Sequence, residues 1–143
     1  MTRIVAGVDG SAAGRAALDW ALPESVARAV PLLAVRAWLS PAFGHHYPEG
    51  SDLVGHESES SLAAQHLALR RCTTPTARSP SFLVETEVVT GHAAAVLLEM
   101  TRPGDVLVVG SRGRGGFRGL LMGSTSTQCA QHTTCPVVVV PDS

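Results

Sequence analysis

The chain alternates between short apolar runs and longer mixed segments, and the period of the pattern changes from one to the next. Ile4 to Val8 is apolar and is closed by Asp9-Gly10-Ser11, which predicts a strand running into a turn. From Ser11 to Val30, residues Ala17, Leu18, Ala21, Leu22 and Val26 recur at helical spacing, with Asp9 or Ser11 available as the cap. Pro23 falls inside this helix, lacks an N–H and crowds the carbonyl of Asp19, so a kink or break is expected there. Leu32 to Trp38, apolar apart from Arg36, predicts the second strand.

The middle of the chain is less regular. Ser40 to Ser60 is polar and rich in Gly, Pro and His and reads as a long loop. Glu59 to Arg71 carries a rough apolar face on Leu62, Leu67 and Leu69 and predicts a helix; Cys72 to Ser81 reads as a disordered insertion. Phe82 to Val89 alternates apolar and acidic side chains, as a half-exposed strand does, with Glu85 and Glu87 on its solvent side. After Gly91, a short helix is expected from His92 to Met100, closed by Arg102-Pro103-Gly104. Asp105 to Val109 predicts a strand, Ser124 to His132 a helix and Val137 to Val140 a last strand ending at Pro141. Alternation of strands and helices predicts an α/β domain over residues 1–143, a doubly wound parallel sheet of five strands with helices on both faces. Residues 40–82 are its least determined part.

Composition narrows the function classes. A chain of 143 residues with 45% hydrophobic and 16% charged residues suits one folded domain. A net charge of -1 supplies no broad attraction to nucleic acid or to anionic membrane, so any phosphate must be bound by a few well-placed groups. Three cysteines in a chain with an ample core suit a reduced compartment better than a disulfide framework. The first apolar run is too short for a signal peptide, and no run approaches the roughly 18 apolar residues of a membrane span. The expectation is a cytoplasmic protein.

The chemistry concentrates near the C-terminus. Gly110-Ser111-Arg112-Gly113 follows a predicted strand, and after nine residues Gly123-Ser124-Thr125-Ser126 opens a helix. In a doubly wound sheet ligands sit outside the carboxyl ends of the strands. Gly110 and Gly113 let backbone N–H groups approach an anion, and a helix start offers unpaired N–H groups with the positive end of the helix dipole. The Gly-Lys-Ser/Thr of a P-loop is absent. Cys129, His132 and Cys135 offer three metal-type ligands without a fourth, so packing cysteines are expected there. His45, His46 and His56 fall in polar loop sequence, and no catalytic triad can be argued from spacing.

VAGVDGS (Val5 to Ser11), GHAAAVLLE (Gly91 to Glu99) and VVGSRGRGGFRGLLMGSTSTQCAQHTTCPVVVV (Val108 to Val140) together resemble the universal stress protein family, ATP-binding type. The resemblance covers most of residues 2–38 and 84–141. Its nucleotide signature, G-x2-G-x9-G-[ST], falls on Gly110, Gly113, Gly123 and Ser124. The resemblance implies a Rossmann-like sheet of order 3-2-1-4-5 and ATP or AMP as ligand, with Mg2+ able to accompany it. It places Asp9 at the nucleoside end of the site and the backbone of Ala37 against adenine. Val109 leads into the signature, whose glycines and Ser124 would hold ribose and phosphates, with Thr125 and Ser126 as further donors. Arg112 and Arg114 occupy variable positions, though either can pair with phosphate oxygens.

In that strand order Val137 to Val140 is an edge strand, an aggregation hazard unless covered, so a homodimer paired through this strand is expected. The expected role is a stress-response regulator or sensor that depends on its ligand. No base is placed to activate water, so slow ATP hydrolysis is the most catalysis expected. Two other classes stay open: an interaction module on the same fold, which would have no physical need of the signature, and an adenylating enzyme, which would need a second pocket from residues 40–82.

Overall fold

The computed structural model describes residues 1–38, 69–70, 84–112 and 122–142. Eight elements are described in the order β1 (Ile4–Gly7), α1 (Ala12–Arg28), β2 (Leu32–Trp38), β3 (Val84–Thr90), α2 (Ala93–Met100), β4 (Val106–Gly110), α3 (Ser124–His132) and β5 (Val137–Val140). The five strands form one parallel sheet of order β3-β2-β1-β4-β5, the order expected. The expected loops at 40–60 and 72–81, Phe82, Leu83 and most of the expected helix 59–71 lie outside the described residues. Of that helix, Leu69 and Arg70 are helical, and Leu69 is fully buried.

The apolar runs are continuous because the central strands are covered on both sides. Ile4, Ala6, Leu32, Ala34, Val106 and Val108 pack on one side with Ala17, Leu18 and Ala21 of α1. Val5, Leu33, Val35, Leu107 and Val109 pack on the other with Val96 and Leu97 of α2 and Cys129 of α3. β3 lies at an edge, and there Glu85 and Glu87 are exposed in register with buried Leu33 and Val35. The acidic-apolar alternation of that strand follows from the exposure of the face that carries Glu85 and Glu87.

Pro23 does not end its helix: α1 runs without a break from Ala12 to Arg28. Asp19 and Pro23 are both exposed, so the Asp19 carbonyl that loses an N–H partner can turn to water. Strand ends differ by a residue from the expected ones, β1 stopping at Gly7 and β4 running Val106–Gly110. At β4 the reason is buried Asp105, whose carboxylate accepts from Arg3 Nε at 3.1 Å and from the Arg102 N–H at 2.9 Å. These bonds make Asp105 the close of a turn.

β4 and α1 touch at Gly110. A Cβ there would lie 2.5 Å from the carbonyl carbon of Ala13, which no side chain tolerates without moving the helix. Gly110→Ala is expected to cost about 1–3 kcal/mol of unfolding free energy, measured by urea denaturation. An unchanged midpoint would mean that α1 is not held at this contact.

Candidate functional site

The carboxyl ends of β1 and β4 are neighbours at the centre of the sheet. The chain leaves β1 for a helix on one face and β4 for a helix on the other, which opens a crevice between them. On the β1 side Gly10 turns the chain at φ 81°, and Ser11 caps α1 by accepting the Gly14 N–H at 3.1 Å. The Ser11 hydroxyl donates to Asp9 Oδ1, which also accepts the Ser11 N–H at 2.9 Å. The helix cap therefore orients the carboxylate. Gly14 makes room for it, since a Cβ at this position would stand 2.6 Å from Asp9 Oδ1.

On the β4 side Ser111 is buried and its backbone works in two directions. Its N–H donates to the Val140 carbonyl at 2.8 Å, tying β4 to β5. Its carbonyl accepts from the Gly123 N–H and, at 3.2 Å, from the Ser126 hydroxyl. Both ends of the glycine signature thus meet in direct contact. Gly123 then starts α3 without a side-chain cap, and the N–H groups of Ser124, Thr125 and Ser126 are the ones that a helix leaves without intrahelical carbonyls. Such a helix start favours anions.

The crevice is partly open to solvent. Val8, Val35, Ala37, Leu97 and Val109 give it an apolar wall, and Asp9, Arg112, Thr125 and Ser126 contribute polar groups. Of the residues singled out from the sequence, Asp9, Ala37, Val109, Gly110, Arg112, Thr125 and Ser126 line it together. Gly123 and Ser124 form the adjoining start of α3. Gly113 and Arg114 lie outside the described residues. The Ser126 hydroxyl is committed inward, to Ser111 and, at 3.0 Å, to Gly123. It acts as a clasp.

Sequence reasoning missed Gly7, Val8, Gly14, Val35, Ala93 and Leu97, which also line the crevice. The last two fall in GHAAAVLLE, so the signal for them was the matched stretch itself.

Cys129 and Cys135 are buried free thiols in the core beneath α3, whereas His132 is exposed. Burial, and after it the neighbouring Cys135, push the Cys129 thiol above its ordinary 9.0. Among the described residues no three His, Cys, Asp or Glu side chains are grouped to hold a metal ion, and no helix is long and apolar enough to cross a membrane.

The profile of the universal stress protein family matches residues 1–141, across the segment 40–82 as well. The chain belongs to the universal stress protein family. A universal stress protein of Mycolicibacterium smegmatis is 36% identical over 141 residues, covering 96% of this chain and 45% of the relative. The chain thus spans about half the length of the curated relatives that it matches. The universal stress protein UspA from Lactobacillus plantarum superposes with a TM-score of 0.78 at 22% identity, covering 97% of each chain. A universal stress protein solved in complex with cAMP superposes with a TM-score of 0.61 at 22% identity, over 99% of this chain and 98% of the other. One from Archaeoglobus fulgidus in complex with dAMP does so with a TM-score of 0.55 at 16% identity, over 98% of each.

Ser126→Ala removes the clasp hydroxyl and is expected to lower the unfolding free energy by about 1 kcal/mol in urea titration. A variant as stable as the wild type would show that the Gly123 N–H alone holds α3 to Ser111.

Proposed function

We propose that this universal stress protein is a stress-response regulator or sensor of the cytoplasm that binds ATP, alone or with Mg2+, or AMP in the crevice between β1 and β4. The observation that carries the reading is the joining, in one crevice, of an apolar slot to a helix start and an arginine. On this reading adenine would lie against Ala37 and Leu97, with the ribose near the Asp9 carboxylate. The phosphates fall to Gly110, Gly113, Gly123 and Ser124, with Thr125 as a further donor, Arg112 as the cation and Ser126 holding the helix in place. The cAMP and dAMP complexes of two structural neighbours support an adenine nucleotide as the ligand class.

The chemistry favours binding over turnover. Asp9 is the acid among the described lining residues, and its Oδ1 already accepts two bonds from Ser11. Those bonds fix the carboxylate on the cap of α1. Residues 1–143 act on this reading as one nucleotide-binding domain.

Denaturing the purified protein and chromatographing what it releases is expected to yield ATP or AMP at near one per chain. If none is carried through purification, calorimetry is expected to show ATP binding that Gly123→Val weakens roughly tenfold or more, since the added side chain enters the phosphate cradle. Equal heats from both proteins would overturn the site.

The same reading includes a homodimer. β5 lies at the sheet edge with four half-buried valines, and a second copy paired antiparallel across a two-fold axis would cover it. Light scattering at micromolar concentration should give twice the chain mass. A monomer would rule this pairing out.

A further inference from the structure

Arg112 lines the crevice, and its Nε stands 3.7 Å from Oδ1 of Asp142, two residues past the end of β5. Both atoms are shut off from solvent and neither has a hydrogen-bond partner, although the side chains as a whole are 41% and 34% exposed. The two atoms have given up water and, at that separation, gain no hydrogen bond in return. The backbone accounts for the placement: Gly110 is in register with Val140, and the Ser111 N–H donates to the Val140 carbonyl, so the next residues on each strand are carried toward one another. By contrast, the partly buried pair of Arg3 with Asp105 closes to 3.1 Å and is hydrogen-bonded.

Few cationic side chains among the described residues can meet ligand charge here. All eleven basic residues counted as Lys or Arg are arginine, and Arg112 is the one of these among the described lining residues. A guanidinium fork binds phosphate oxygens through two parallel N–H bonds, closer than the contact that Asp142 offers.

We propose that Asp142 is a built-in competitor for Arg112, holding the guanidinium in the ligand-free protein and giving it up to the polyphosphate chain of a nucleotide. This rests on the nucleotide reading of the crevice. It makes the site discriminate by phosphate charge, because a nucleoside without phosphates has nothing with which to displace the carboxylate. It also links the crevice to the end of β5, since taking Arg112 frees Asp142 just beyond the edge strand.

Calorimetry on the full chain with adenosine and ATP tests it, using wild type, Asp142→Asn, Arg112→Gln and the double variant. Asp142→Asn is expected to tighten ATP up to about fivefold and to leave adenosine unchanged, the adenosine heat serving as the check on folding. Arg112→Gln is expected to weaken ATP roughly tenfold or more, and in that background the gain from Asp142→Asn should fall below about twofold. An unchanged ATP affinity in Asp142→Asn, with adenosine still bound, would overturn the competitor alone. So would the same gain with and without Arg112, which would mark simple repulsion between Asp142 and phosphate. Wild-type protein that binds neither adenosine nor ATP would overturn the nucleotide reading and the competitor together.

Discussion

The backbone of Ser111 holds three elements in one place, and the geometry of the crevice depends on it. Its amide fixes the end of β5, its carbonyl receives the start of α3, and the glycine before it is pressed against α1. Each hydrogen bond is worth only about 1 kcal/mol net. Their effect is positional. Ser111 is buried, so its carbonyl finds donors within the protein, and the two that serve belong to the first turn of α3. Satisfying that one oxygen points the helix start into the crevice.

Room for the crevice comes from side chains that are absent. Gly14 leaves space for the Asp9 carboxylate, and Gly110 lets α1 come down onto β4. With larger residues the helix would ride away from the strand ends, and the acid would lose the Ser11 cap that aims it. The contacts that set up the site are thus also packing contacts of the sheet. Stability and site geometry cannot be varied independently at these glycines.

Much of the fold was legible in the order of apolar runs, because strands covered on both faces carry unbroken runs and the edge strand β3 carries alternation. The expected break at Pro23 is absent, and local sequence does not say that Asp19 and Pro23 face water. The strand order came from the family resemblance, and the periodicity alone did not supply it. At the candidate site, the spacing of Gly110 and Gly123 marked the strand end and the helix start that border the crevice. Leu97 and Gly14 were not legible as lining residues, because they are defined by neighbours distant in the chain. Ser126 looked like a ligand donor by position, yet its hydrogen is taken by carbonyls that only the folded turn brings near. Asp142 gave no signal at all: its meeting with Arg112 follows from strand register.

Charge at the crevice is arranged in a way that the net charge of -1 conceals. Asp9 sits on the β1 side, fixed by the cap of α1, and the positive start of α3 sits on the β4 side beside Arg112. A ligand with one anionic end and one apolar end therefore meets opposite preferences at the two sides. Asp9 disfavours phosphate on the β1 side, and the helix start favours it at the other end. On the proposed reading orientation comes from this separation of charge, and the apolar wall needs only to accept a flat ring. On that reading a chain so nearly neutral would attract a polyanion only locally, through a few close groups whose field falls off within about 10 Å at moderate salt.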